Sequence, residues 1–238
     1  MMQVQPQRVK LAEYRALGLS FEIMDYAFPT YDEDEIKRAY EGIEIPSMHG
    51  AFIDVNFASN DPLIREVSQR RVVSSIEKGI ALGVQNVVLH TCFYPVIQND
   101  ALEDVWCDLA SEFLRRVADT YHVRLFIENT LDLTPGLLSR LMARLNHPEI
   151  QVCLDVGHAN LSRAPLETWF EALHPYLRYM HLNDNHGVYD EHLAIGDGTI
   201  DWGVWKRLMQ KYALDPIMTI EMVGVEKIQK SVEFLRLL

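Results

Sequence analysis

Short apolar segments alternate with longer segments of helical period along most of this chain. The short segments are rich in β-branched residues and bounded by polar ones, which is typical of strands buried in a parallel sheet. Strands are predicted over residues 20–23, 43–49, 84–90, 123–128, 150–155, 177–181 and 216–221, and residues 2–4 can supply a short first strand. Such a regular alternation restricts the chain to the α/β classes.

Helix signals fill the gaps between these strands. Asp61-Pro62 reads as an N-cap followed by proline in the first turn, and Gly83 closes that helix. Its apolar positions are Ile64, Val67, Val72, Ile76 and Ile80. A second helix over 101–121 is expected to bury Leu102, Val105, Trp106, Leu109, Phe113 and Val117. Thr134-Pro135 begins a third, and others are predicted over 32–41, 164–173, 202–212 and 225–237.

The arrangement of these elements favours one domain over residues 1–238. No linker rich in proline or glycine interrupts the alternation, and 238 residues can enclose a single large core. A doubly wound open sheet fits the alternation too, but the GxGxxG fingerprint is missing after the early strands. We therefore predict a single-domain (β/α)8 TIM barrel with a short or degenerate first strand.

The composition restricts the cellular environment and the binding partners that are expected for this protein. The formal net charge is -12, with 22 Lys and Arg against 34 Asp and Glu, so a nucleic-acid partner is not expected. Three cysteines form no CxxC pair and read as reduced thiols. No apolar run has signal-peptide or membrane-spanning length. The sequence predicts a cytoplasmic protein that is not associated with a membrane, and its exposed outer helices permit a homodimer.

Six of the seven clear strands end at a potential metal ligand or acid–base group. These residues are His49, His90, Glu128, Asp155, His181 and Glu221. In a barrel the carboxyl ends of the strands converge on one face, where the loops build the active site. One such histidine is more often a hydrogen-bonded structural residue. Three carboxylates and three imidazoles buried together need a cation, so the set predicts a metal site.

Further polar candidates follow these strands. His158 comes three residues after Asp155, and Asp190 and His192 lie in a connection over residues 181–202 that is long for a compact domain. Two roles are considered for the neighbouring polar residues, which are hydrogen bonding within the loops and contact with a substrate. These residues are Asn129, Asn183, Asp184 and His186. The Gly196-Asp197-Gly198 segment reads as a turn, and no role is assigned to His122, His147 and His174.

From about residue 18 onward these motifs resemble a known superfamily. In chain order they are HGAF, VLH, ENT, CLDVGH, MHLNDN, DEH, GDGTIDW and TIEM. This ordered set resembles the xylose-isomerase-like TIM barrel superfamily, which contains sugar isomerases and epimerases and shares its metal-ligand pattern with the zinc-dependent AP endonuclease family 2. The resemblance implies a metal-dependent enzyme on a TIM barrel.

The same resemblance implies up to three metal sites. The set shared by the epimerases corresponds to Glu128, Asp155, His181 and Glu221. A second site corresponds to His49 and His90 with Glu128 bridging, and a third to His158, Asp190 and His192. Ketose epimerases typically carry an arginine in the loop where this chain has Asp190 and His192, and the endonucleases are usually longer, with loops that wedge into DNA. Neither the substrate recognition of the epimerases nor the DNA binding of the endonucleases can therefore be carried over directly to this chain.

The preferred hypothesis is an isomerase or epimerase of a small sugar, sugar phosphate or hydroxy-carbonyl compound. One to three divalent ions are expected, zinc or manganese being favoured and iron or cobalt being alternatives. Glu128 and Glu221 are the predicted catalytic acid–base pair, acting beside a metal-bound carbonyl. The predicted substrate-binding residues are His158, His192, Asn129 and Asp184. The alternatives are a multinuclear phosphoesterase of the endonuclease type and a non-catalytic metal- or sugar-binding barrel.

The alternation of side chains along each strand also predicts which residues line the interior of the barrel. Residues two positions before each ligand should point into the barrel, because successive side chains of a strand face opposite sides. These residues are Val88, Phe126, Cys153, Tyr179 and Thr219.

Overall fold

Eight parallel strands close into a barrel in the computed structural model, which describes residues 2–4, 13–14, 16–25, 34, 38, 40–94 and 99–238. The strands are β1 (Met2–Val4), β2 (Phe21–Met24), β3 (Ser47–His49), β4 (Asn86–His90), β5 (Arg124–Glu128), β6 (Ile150–Asp155), β7 (Leu177–Leu182) and β8 (Ile217–Ile220). Each pairs with its neighbour in sequence, and Met2 of β1 pairs with Ile220 of β8 to close the ring. The predicted barrel and its short first strand are confirmed.

Two strands are shorter than predicted, in ways that matter for the site. β3 covers only the end of the predicted 43–49 segment, and the reason is Pro46, which has no N–H for a sheet ladder. Its carbonyl instead accepts hydrogen bonds from the amides of Gln85 and Asn86, both at 3.0 Å. β8 ends at Ile220, so Glu221 begins the following loop while its N–H still donates to the Leu182 carbonyl.

Helices connect the strands around the barrel. Those within the described residues are α1 (Pro62–Ala81), α2 (Asp100–Tyr121), α3 (Gly136–Leu145), α4 (Val156–Leu161), α5 (Leu166–Leu173), α6 (Trp202–Lys211) and α7 (Val225–Leu237). Asp61 caps α1 as predicted by accepting from the amide of Leu63 at 2.8 Å. The short helix α4 was not predicted, and most of the predicted helix 32–41 lies outside the described residues. No described helix is both long and apolar enough to cross a bilayer.

The apolar positions of α1 and α2 are only partly buried. Ile64 and Val67 are 53% and 58% exposed, whereas Val72 and Ile76 are fully buried. Leu102 and Val105 are likewise exposed, and the buried face of α2 starts at Trp106. Ile80, in the last turn of α1, is also exposed. The predicted burial of Leu102 and Val105 is therefore wrong, whereas that of Trp106 is confirmed.

The barrel interior forms a small core of its own beneath the strand ends. Val88, Phe126, Cys153 and Tyr179 make up this buried cluster. Thr219 is also buried and lies 2.9 Å from the Tyr179 hydroxyl. The predicted phase of these strands is confirmed, and it fixes the direction in which the residues at their ends project.

Candidate metal centre

Strand register brings four of the predicted ligands together. Asp155 pairs with His181 across β6 and β7, while Glu128 ends β5 and Glu221 follows β8. One donor atom from each of Glu128, Asp155, His181 and Glu221 lies within 4.8 Å of the others. All four side chains are buried. These four residues are called the inner group below.

Glu128 connects this group to a second one. Its Oε1 atom lies 3.3 Å from the Nδ1 atom of His181, and its Oε2 atom lies 3.3 Å from the Nε2 atom of His49. His90 is on the same side, with its Nε2 atom 3.6 Å from Oε2. His49, His90 and Glu128 therefore form a second set of converging donors, called the outer group. Glu128 is the carboxylate that the two groups share.

Unsatisfied buried atoms indicate that these donors fit a cation. Both oxygens of Glu128, the Nδ1 atom of His181 and the Oε2 atom of Glu221 are buried without a hydrogen-bond partner. The last two atoms are 2.8 Å apart, yet they are not aligned for a hydrogen bond. Unpaired buried polar atoms are strongly unfavourable unless a positive charge compensates them. A mixed set of carboxylate and imidazole ligands suits zinc, manganese, iron or cobalt.

Glu22, in the middle of β2, was missed by the sequence interpretation. It is fully buried, and its Oε1 atom lies 3.2 Å from the Nε2 atom of His181. Its Oε2 atom accepts hydrogen bonds from the hydroxyls of Tyr179 at 2.5 Å and Thr219 at 2.9 Å. With Nε2 donating to Glu22, Nδ1 is the nitrogen that can offer its lone pair to a cation. The signal in the sequence for Glu22 was a charged residue inside a predicted strand, between the apolar residues Phe21 and Ile23.

Burial and neighbouring charge shift the pKa values of the inner group in different directions. Burial raises the pKa of Asp155 to about 7, although His158 opposes the rise. Burial also favours protonated Glu128, but the charge of His181 outweighs it and holds the pKa of Glu128 well below its usual value. Burial lowers the pKa of His90 to about 3 despite the nearby Glu128. An ionised Glu128 beside a neutral His90 is an arrangement in which both can act as ligands.

The third predicted set of metal ligands, His158, Asp190 and His192, is more exposed to solvent than the inner group. Asp190 places its Oδ2 atom 2.6 Å from the Nε2 atom of His192 and 3.4 Å from the Nε2 atom of His158. The side chains of Asp190 and His192 are about one-third exposed, at 34% and 32%. The other ring nitrogens donate to the backbone, His158 to the carbonyl of Asn129 and His192 to that of Glu221. In the described part of the chain, this trio is not one of the groups whose donors all converge within 4.8 Å.

Asn129 is held by the backbone of β6. Its amide nitrogen donates to the Asp155 carbonyl at 3.0 Å and its oxygen accepts from the Asp155 N–H at 2.8 Å. The side chain is buried, with 1% of the residue exposed. This geometry favours a role in holding Asp155 at the strand end over the predicted substrate contact.

Asp184 organises the long connection between β7 and α6. Its carboxylate accepts from the amides of Asn185, Gly196 and Ile200 and from the Trp202 indole, and the residue is fully buried. Asp184 therefore also has a structural role in place of the predicted substrate contact. Nearby, Asn183 donates to the Oδ2 atom of Asp155 at 3.1 Å. The exposed His186 instead pairs with Glu191.

Gly157 lets the chain pass close to the Asn183 side chain directly after Asp155. A Cβ atom at this position would lie 1.9 Å from the side-chain oxygen of Asn183, so only glycine fits without displacement. Helix α4 starts at Val156, and Asp155 caps it by accepting from the His158 amide at 2.6 Å. The Asp155-Val156-Gly157-His158 motif thus places both side chains at the site.

The fold and the donor groups define a barrel with a candidate metal centre at the carboxyl ends of its strands. Residues 7–238 match the family described as the xylose isomerase-like TIM barrel, and the chain belongs to that family. Among its relatives, the uncharacterized protein MJ1311 of Methanocaldococcus jannaschii is 27% identical over 221 residues, which cover 85% of this chain and 72% of the relative.

Two solved structures share the whole fold. A D-tagatose 3-epimerase-like protein aligns with a TM-score of 0.79 at 24% identity, covering 99% of this chain and 95% of that chain. The TTHB071 protein from Thermus thermophilus, described as soaked with ZnCl2, aligns with a TM-score of 0.83 at 24% identity, covering 99% of this chain and 96% of that chain. At this identity the likeness establishes the common fold.

Proposed function

We propose that the protein is a divalent-metal-dependent isomerase or epimerase of a small sugar or related hydroxy-carbonyl compound. The observation that carries the proposal is the placement of two buried carboxylates around one imidazole. The Nδ1 atom of His181 lies 2.8 Å from Glu221 and 3.3 Å from Glu128. The similarity of the fold to a D-tagatose 3-epimerase-like protein supports the same reaction class.

The two carboxylates supply the acid–base chemistry in this proposal. A divalent cation bound by the inner group would supply Lewis acidity next to a substrate carbonyl. One of Glu128 and Glu221 removes the proton from the carbon beside that carbonyl, and the other returns a proton to the intermediate. His181 lowers the pKa of both carboxyls against the effect of burial, so each is ionised and able to accept a proton. His158 and His192, at the open side, orient substrate hydroxyls unless they bind metal themselves.

Exchange of a carbon-bound hydrogen with solvent tests this mechanism directly. Metal-loaded protein is incubated in D2O with a panel of ketoses, and deuterium beside the carbonyl is measured by NMR. Glu128→Gln and Glu221→Gln should each slow exchange by at least about 100-fold, because a positioned acid–base group contributes a factor of that order. Glu149→Gln, at an exposed position, should exchange at the wild-type rate. Equal rates in all four proteins would contradict the proposal.

One observation favours hydrolysis of a phosphoester as a second candidate. Glu128 is shared by the inner and outer groups, and a shared carboxylate is common where two cations clamp a phosphate. A generic phosphodiester in the same assay distinguishes the candidates. Phosphate release without hydrogen exchange on any ketose would favour the hydrolase.

A further inference from the structure

Asn183 is a buried polar residue that contacts the inner group without belonging to it. It directly follows the last residue of β7 and lies two positions after His181. Side chains two positions apart along an extended segment point in the same direction, so Asn183 faces the end of β6 as His181 does. Its amide nitrogen donates to the Oδ2 atom of Asp155 at 3.1 Å. Asn183 therefore joins the end of β7 to a predicted ligand on β6.

The two oxygens of Asp155 are each held by a hydrogen bond. Oδ1 accepts from the His158 amide at 2.6 Å, and Oδ2 accepts from Asn183. Oδ2 also lies 4.0 Å from the Nδ1 atom of His181, on the side where the inner group converges. Each carboxylate oxygen has two lone pairs, so Oδ2 can accept from Asn183 and still offer a lone pair to a cation. The contact with Asn183 fixes the direction of that remaining lone pair.

The other end of the Asn183 amide is unsatisfied. In the described part of the chain its Oδ1 atom is buried and has no hydrogen-bond partner. This atom lies against Gly157, where an added Cβ atom would approach it to 1.9 Å. The gain from one hydrogen bond is thus offset by the cost of one unsatisfied acceptor. The effect of Asn183 on Asp155 accounts for this residue better than a contribution to the stability of the fold does.

We propose that Asn183 is a positioning residue that orients Asp155 toward a divalent cation, and that Gly157 provides the space that Asn183 needs. The inference rests on the proposed function, because it requires a cation in the inner group. It goes beyond that function by assigning a role to a residue that is not itself a ligand. Loss of a hydrogen bond that orients a metal ligand typically lowers metal affinity about 10- to 100-fold.

Asn86 provides a matched control at the opposite end of the barrel. It begins β4, is 2% exposed and donates from its amide nitrogen to the Ser47 hydroxyl at 3.1 Å. Its Oδ1 atom is likewise buried without a partner. Replacing either asparagine with leucine therefore removes one donated hydrogen bond and one unsatisfied acceptor. Both variants should remain folded by circular dichroism, and only Asn183→Leu changes a contact to a predicted ligand.

Titration of the metal-free full chain with Co²⁺ tests the proposal without requiring turnover. The visible absorption of bound Co²⁺ reports both the affinity and the geometry of the site. Asn183→Leu should bind Co²⁺ about 10- to 100-fold more weakly and with a changed spectrum, whereas Asn86→Leu should match wild type in both. Gly157→Ala keeps the asparagine but displaces its side chain, so its affinity should fall as well. This second variant decides the question if Asn183→Leu does not fold.

Wild-type affinity in Asn183→Leu, or in Gly157→Ala where that variant decides, would overturn the positioning role. An equal loss in Asn86→Leu would overturn it too, because the effect would then not depend on Asp155. If wild-type protein binds no Co²⁺, the proposed metal dependence fails and the positioning role fails with it. Hydrogen exchange on the ketose panel is measured in parallel. If Asn183→Leu alone weakens binding while wild-type protein exchanges no hydrogen, the proposed reaction is wrong and the positioning role stands.

Discussion

His181 donates a hydrogen bond from Nε2 to the Oε2 atom of Glu22 across 3.3 Å, inside a barrel where both side chains are fully buried. The two residues lie on β7 and β2. This contact turns the opposite nitrogen of the ring toward Glu128 and Glu221. The hydroxyls of Tyr179 and Thr219 hold the Glu22 carboxylate in place from below. The geometry makes Glu22 a positioning residue for the inner group.

Replacing Glu22 with glutamine should weaken metal binding without unfolding the protein. The neutral amide accepts a weaker hydrogen bond from His181, and loss of such a partner typically costs a factor of about 10–100 in metal affinity. Competition with a chromophoric chelator measures the affinity, and circular dichroism checks the fold. Tyr179→Phe keeps the contact between His181 and Glu22, so its effect should be smaller. Wild-type affinity in Glu22→Gln would show that the hydrogen bond has no positioning role.

The number of ions per chain should distinguish the two donor groups. Two ions are expected in wild-type protein purified without chelators, because the inner and outer groups each converge and share Glu128. His90→Ala removes one donor of the outer group, so elemental analysis should then find one ion. A ratio of one in both proteins would rule out the multinuclear arrangement and most of the case for hydrolysis. A third ion at Asp190 would raise the wild-type ratio to three.

Periodicity was sufficient to predict the barrel and the ends of β3, β4, β5 and β6. The bounds of β6 and α7 agree residue for residue with those expected, because each has a sharp pattern and clear flanking signals. The convergence of His90, Glu128 and Asp155 followed from the parallel arrangement of their strands. These features depend on local sequence patterns and on the rule that the carboxyl ends of the strands in a barrel converge on one face.

Long-range contacts explain what the sequence could not predict. Glu22 lies mid-strand, and its partner His181 is 159 residues away in the chain, so no local pattern joins them. Asp184 takes its structural role from amides that return to it from later in the loop. The unpredicted α4 has six residues, too few for a clear helical period, and its cap is Asp155 itself.

Asp184→Ala should destabilise the protein, because the structure gives this residue a structural role. Removing the carboxylate leaves the buried Trp202 indole and the amides of Gly196 and Ile200 without their acceptor. Each unsatisfied buried donor costs about 1–3 kcal/mol, so a loss of at least about 2 kcal/mol is expected. Urea unfolding measures the change. Full stability combined with a raised KM would instead support the substrate contact that the sequence predicted.

Asp132 should make stability depend on pH in an unusual direction. Burial raises the pKa of this carboxyl to about 6 from its ordinary value of 3.8, although hydrogen bonds from Thr130 and Thr91 oppose the rise. Between these two values the folded protein holds the proton more tightly than the unfolded chain does. The contribution of Asp132 to the free energy of unfolding is therefore most favourable below about pH 4 and is lost as the pH rises through 6.

Asp132→Asn should remove this pH-dependent loss. The amide oxygen can still accept from the Thr91 hydroxyl and the Thr130 N–H, which contact the native carboxylate at 2.9 and 3.1 Å. A shift of about two pKa units corresponds to roughly 3 kcal/mol, so the variant should be more stable than wild type by up to that amount at pH 7.5 and by about half as much at pH 5. Urea unfolding of chelator-treated protein at both pH values measures the difference, and Glu149→Gln serves as the exposed control. A difference that is the same at both pH values would mean that the Asp132 carboxyl titrates normally in the folded protein.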